Sequence, residues 1–225
     1  MKRAARPILV IICLLAAWAG RSEPLLRPGL LLGYRVEILG AGKQSEEQLE
    51  LRVQDAAGSD LWRLELELGQ DAVRYRALYS SAGDRSPFDA TRFESVETWE
   101  DGWHRVDPTQ MEILSTLQEM EGLLAGKSWD AESTFVVGGR ELPCRRYAFA
   151  DSTQDVQIGE SVVLRTVTHR RGEAWLTEDL PFGGWVRYHE ERRSRKFSEF
   201  GGRRFEGDEE SSRETWTLSE LTGDD

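Results

Sequence analysis

The 225-residue chain holds two cysteines, three histidines and no apolar run longer than about a dozen residues. Each shortage excludes something. A run that short cannot cross a bilayer as a helix, which takes roughly 20 residues. His104, His169 and His189 lie far apart, without an H-E-x-x-H motif or paired cysteines, so metal-ligand spacing is absent. Basic residues are in deficit, 29 Lys and Arg against 40 Asp and Glu for a formal charge of -11. Generic binding to nucleic acid needs the opposite balance and is excluded as a function class. No serine sits in a G-x-S-x-G elbow, no cofactor is expected, and abundant carboxylates are not by themselves evidence for a hydrolase. An enzyme would require a cleft joining one of the histidines to carboxylates. What remains is 39% hydrophobic and 31% charged, a composition that closes a sizeable core and argues against disorder.

The apolar run is at the amino terminus. Lys2, Arg3 and Arg6 precede Ile8 to Ala19, and Ala17-Trp18-Ala19 has the small-x-small pattern of a cleavage site. Residues 1–19 therefore read as a secretory signal peptide, with an uncleaved membrane anchor as the alternative. Cys13 does not make a lipoprotein signal, because Ile12 stands where a small residue is required. Cleavage removes three positive charges and Cys13, leaving residues 20–225 more acidic, with Cys144 as their one cysteine and no internal disulfide. That thiol reads as buried and inert. The expected location is periplasmic or extracellular.

Residues 20–225 read as one β-rich domain. Tyr34, Val36 and Ile38 alternate with polar neighbours, as do Leu49, Leu51 and Val53, then Trp62, Leu64, Leu66 and Leu68, then Val73, Tyr75, Ala77 and Tyr79. Period-two alternation places one set on a buried sheet face and leaves the other wet, so the first half is an antiparallel meander. Gly40-Ala41-Gly42 reads as a turn and Asp55 to Asp60 as a hairpin loop. Ser80 to Val106 lacks clear periodicity and reads as a long connection.

A helix is expected over Pro108 to Ala125, with Asp107 as N-cap, Pro108 in the first turn, Gln110 completing a capping box, and Gly126 with Lys127 at the carboxyl end. Ile113, Leu117, Met120 and Leu124 share one stripe, so the helix has a face to bury. Strands resume at Phe135 to Val137, Tyr147 and Phe149, Val163 to His169, and again from Trp175. Pro181-Phe182-Gly183-Gly184-Trp185 reads as a turn, Val186 to His189 as a strand, Ser194 to Ser212 as a mobile loop or long hairpin, and Trp216 with Leu218 as a last strand.

Gly122 to Ser128 is one residue short of a phosphate loop and closes a helix instead of opening one, so it presents carbonyls where phosphate needs amides. Arg187 to Glu210 is dense in both charges. Two neighbouring strands can neutralise each other there, and the alternative is a site for an envelope protein partner or anionic headgroups. Seven tryptophans follow the leader, most of them expected in the core, with a few able to line an apolar groove.

An exported chain with a β meander, one central amphipathic helix and further antiparallel strands resembles the periplasmic lipoprotein-carrier-like half-barrels. The stretch Glu173 to Val186 is also similar to a strand-turn-strand segment of secreted bacterial proteins of like make. The resemblance implies a mostly β (α+β) fold, a curved antiparallel sheet or half-barrel packed on one central helix, whose apolar concave face accommodates acyl chains. It implies that Trp62, Leu64, Leu66, Tyr75, Leu117 and Met120 border a cavity that binds an apolar or lipid-like ligand without catalysis. The alternative is a structural or interaction protein of the envelope with a filled core.

Overall fold

The computed structural model describes residues 26–40, 43–56, 60–69, 73–82, 87, 89–99, 101–159 and 162–223. Residues 1–19, read as a signal peptide, lie outside them. The fold is mostly β: one open antiparallel sheet of 11 strands and, among the described residues, one α-helix. The strands are β1 (Leu31–Gly40), β2 (Lys43–Ala56), β3 (Leu61–Leu68), β4 (Val73–Ser80), β5 (Phe93–Trp99), β6 (Trp103–Val106), β7 (Ala131–Val137), β8 (Arg140–Ile158), β9 (Val162–Leu176), β10 (Trp185–Phe200) and β11 (Arg203–Thr222). Helix α1 (Glu112–Leu124) lies between β6 and β7. Strand order is β6-β5-β4-β3-β2-β1-β11-β10-β9-β8-β7, so two meanders meet where the first strand pairs with the last.

Alternation sets which face is buried. Leu32, Val53, Leu64, Tyr79, Val96, Val186 and Tyr188 are all sealed from solvent, and their sequence neighbours Arg52, Arg63 and Arg187 are exposed. The sheet curls strongly over this face. Four strand spacings separate β11 from β7, about 19 Å in a flat sheet. Yet a Cβ placed on Gly138, in the β7–β8 turn, would fall 2.3 Å from the carbonyl oxygen of Leu221 on β11. Likewise Phe182, in the β9–β10 connection, reaches over the face to meet Tyr79 of β4 edge-on, with ring centroids 5.4 Å apart.

Three expectations are corrected, and a fourth is decided between its two readings. Ser80 to Val106 is not a plain connection, because β5 and β6 pair as a hairpin at the sheet edge, where one-sided cover weakens the alternation. Val163 to His169 and the strand from Trp175 are one continuous strand, β9. Ser194 to Ser212 is the long hairpin of β10 and β11, turning at Gly201-Gly202. Helix α1 starts later than Pro108. The Asp107 carboxylate accepts from Thr109 N at 2.9 Å and Thr109 Oγ1 at 2.8 Å, which closes a separate 3-10 turn over Pro108–Gln110. Met111 then returns to extended geometry and precedes the helix without a side-chain cap. The carboxyl end is as expected, with Gly126 at a φ of 72° and Lys127 N donating to Leu124 O.

Beyond Glu190 the far halves of β8, β9, β10 and β11 leave the core behind. Residues 150–158 of β8 and 203–211 of β11 are exposed one after another, which a strand shows only when neither of its faces is covered. Ten residues of β10 at extended rise carry this single-layer paddle about 30 Å outward.

Candidate functional site

The buried face encloses an apolar cavity of about 80 Å³ between the sheet and α1. Leu64 and Leu66 of β3, Tyr75 of β4, and Leu117 and Met120 of α1 line it. Trp62 packs half-buried against the surrounding core and is not part of the wall. The opposite wall is Tyr34 of β1, Trp185 and Tyr188 of β10, and Trp216 of β11. Sequence reasoning singled out none of these four as site residues, although Tyr34, Tyr188 and Trp216 lie in strand segments and Trp185 follows a turn as the first residue of β10. The missing signal was the β1–β11 pairing, which places Val36 opposite Trp216 and has no local trace.

Polar groups in this wall are mostly turned to the protein. Tyr34 donates its hydroxyl to the carbonyl oxygen of Trp185 at 3.0 Å, and burial pushes that phenol well above its ordinary range. The indole Nε1 of Trp185 is buried without a hydrogen-bond partner among the described residues. Leaving such a donor unmet costs about 1–3 kcal/mol.

At the cavity margin lies a buried ionic cluster. Arg170 of β9 grips Glu190 of β10 with two hydrogen bonds, Nε to Oε1 at 2.9 Å and Nη2 to Oε2 at 2.7 Å. The two side chains are 7% and 3% exposed. Tyr188 donates its hydroxyl to Glu190, Arg192 Nε donates to the same carboxylate at 3.0 Å, and Arg170 also pairs with Glu119 of α1. Burial alone would raise Glu190, but the hydrogen bonds from Arg170 and Tyr188 outweigh it and hold the carboxyl below its ordinary value. The cluster joins the helix to the sheet beside the cavity.

The remaining candidate groups lie elsewhere. His104 is on β6, His169 on β9 and His189 on β10, the last sharing a hydrogen bond with Thr215 Oγ1 at 3.0 Å. Among the described residues no three His, Cys, Asp or Glu side chains gather into a metal-binding group. Cys144 is buried, and burial first, then the charge of Asp179, pushes its thiol up to about 11. In the charged hairpin Arg195 pairs with Glu206 and Glu209, Lys196 with Glu210, and Arg213 with Glu191 across β10 and β11, as neutralisation between neighbouring strands predicts.

No protein-family model and no curated protein matches the sequence. Among solved structures the chain is similar to a LolA superfamily protein from Nitrosomonas europaea. The two share 4% identity over 94% of each chain, with a TM-score of 0.26. An overlap that loose carries no argument about activity. No described helix is long and apolar enough to cross a membrane.

Proposed function

We propose that the chain is an exported, non-catalytic binding protein of the cell envelope that holds an apolar or lipid-like ligand between a half-barrel sheet and helix α1. One observation carries this reading: residues from both meanders and from α1 converge on a cavity whose wall is almost wholly aliphatic and aromatic, in a chain that is 31% charged. Leu64, Leu66, Tyr75, Leu117 and Met120 are the contacts proposed for the ligand, with Tyr34, Trp185 and Trp216 opposite. The amino-terminal pattern of Lys2 to Ala19 supports export to the periplasm or beyond, with residues 20–225 acting as one unit.

Native mass spectrometry of the protein purified from the envelope tests it. An adduct in the mass range of a fatty acid or phospholipid, displaced by added fatty acid, is expected. A bare mass together with no fatty-acid uptake overturns the reading. The alternative, an envelope interaction protein with a filled core, rests on the cavity's size, which at about 80 Å³ is below the few hundred typical of enclosed ligand sites. On that reading Arg187 to Glu210 meets the partner, and crosslinking in cells would capture a protein that is lost when the hairpin is shortened.

A further inference from the structure

The paddle ends in an apolar tip. Ile158 of β8, Leu164 of β9, Phe200 of β10 and Phe205 of β11 are 80%, 47%, 56% and 53% exposed. Register places them on both faces. Leu164 and Phe205 flank Ser198 on one rung, whose face recurs two residues on at Phe200, whereas Ile158 shares the next rung, and the other face, with Val163 and Glu199. Large apolar side chains on both faces of a single layer, at its far end, cannot be covered by the chain's own core.

Charge tells what covers them. Two acidic groups near the tip are engaged, Glu199 with Arg165 at 3.4 Å and Glu206 with Arg195 at 2.6 Å. Arg203 and Arg204 directly follow the turn and have no carboxylate partner among the described residues. The Arg204 guanidinium instead sits over the ring of Phe197, 4.0 Å from its centroid. A protein laid against one face would leave the other wet. Entering an interface end-on covers both at once. We infer that the tip of the β8–β9 and β10–β11 hairpins inserts into the interfacial layer of an anionic lipid bilayer, with Phe200, Phe205, Ile158 and Leu164 immersed and the guanidiniums of Arg203 and Arg204 at the headgroups. The backbones of these two arginines lie nearer the turn than Phe205, and their long side chains run back to the headgroups, the direction Arg204 takes toward Phe197. Immersion of about 5–10 Å takes in two or three residues of each strand, the span that carries these four apolar side chains. The inference stands whether or not the cavity takes a ligand.

The test uses the full chain carrying Cys13→Ser and Ser198→Cys, with an environment-sensitive fluorophore on the introduced thiol; Cys144 is buried and stays unlabelled. Vesicles of phosphatidylglycerol and phosphatidylcholine should shift the emission to the blue, and pure phosphatidylcholine should do so much less. Adding Phe200→Ser with Phe205→Ser should weaken vesicle binding read by this label about tenfold or more. Adding Arg203→Glu with Arg204→Glu should abolish the preference for the anionic vesicles. Ser198 is half-exposed and Phe200, Arg203, Arg204 and Phe205 are exposed, so unchanged urea midpoints verify folding, and unchanged fatty-acid uptake separates the result from the cavity reading. A label that does not shift on anionic vesicles, a phenylalanine variant that binds as well as the parent, or a shift that tracks protein self-association without vesicles overturns the inference.

Discussion

Phe149 of β8 lies nearly parallel to Tyr188 of β10, ring centroids 5.6 Å apart and planes 14° from parallel, across a strand that bears only a hydrogen between them. That position is Gly172 of β9, paired with Phe149 on one side and Glu190 on the other. A Cβ there would meet the Phe149 Cζ at 2.7 Å and the His189 carbonyl oxygen at 1.9 Å. Gly172→Ala is therefore expected to destabilise the fold by about 3 kcal/mol. A urea midpoint close to that of the parent would contradict the close approach.

The Arg170–Glu190 pair should show the asymmetry of buried ions. Arg170→Met strands a buried carboxylate and is expected to cost about 3–5 kcal/mol, whereas Arg170→Met with Glu190→Leu recovers most of that loss. Equilibrium denaturation of both variants is the measurement, and equal losses would show that the pair does not act as a unit.

Acid should loosen the protein through carboxylates held below their ordinary value. Two guanidiniums, Arg171 first and then Arg213, hold Glu191 down to about 2 from 4.5, and Glu190 is lowered by its cluster. A carboxyl lowered in the fold contributes stability that is complete above its unfolded value and disappears as pH falls through the folded one. Stability is thus expected to fall between 4.5 and about 2, with a shallower decline in Glu191→Gln. Denaturation midpoints measured across that range decide, and identical slopes would remove Glu191 from the account.

Filling the cavity should separate binding from folding. Leu117→Trp is expected to reduce fatty-acid uptake about tenfold or more while overpacking costs about 1–3 kcal/mol. Trp62→Ala, away from the wall, should leave uptake within about twofold. Fluorescent fatty-acid titration of both variants reads this out, and the reverse ranking would move the ligand elsewhere.

Cys144 should resist thiol reagents in the native protein, because the thiolate that reacts is suppressed with the thiol at about 11. Rapid modification at neutral pH before any denaturant is added would place it at the surface.

Strands β1 to β4 were legible because each carries its own alternation: Trp62, Leu64 and Leu66 announce a face without help from any neighbour. Leu64, Leu66 and Tyr75 share the cavity for that reason, and Leu117 and Met120 join them from the apolar stripe of α1. The second meander was harder. Arg170-Arg171-Gly172 looks like a break in β9, since a buried arginine is intelligible only beside Glu190, 20 residues away. The helix start misled through a shared preference. Asp107 caps a short 3-10 turn by the same carboxylate-to-amide bond that caps an α-helix, and only the extended Met111 distinguishes them. The four aromatic groups of the far wall depend on β1 meeting β11, a pairing between opposite ends of the chain.

That pairing also orders events in time. Every other strand pairing joins neighbours in sequence, so each meander can assemble from local hairpins on its own. The seam between them waits for Leu31 to find Thr222, and the Ser219 hydroxyl reaches the Gly33 carbonyl across 186 positions. Loop closure over that separation is the least local step such a topology contains, and non-local pairing is what slows folding. A chain moved through a membrane as it emerges would hold a half-built sheet, its apolar face open, until its carboxyl terminus arrived.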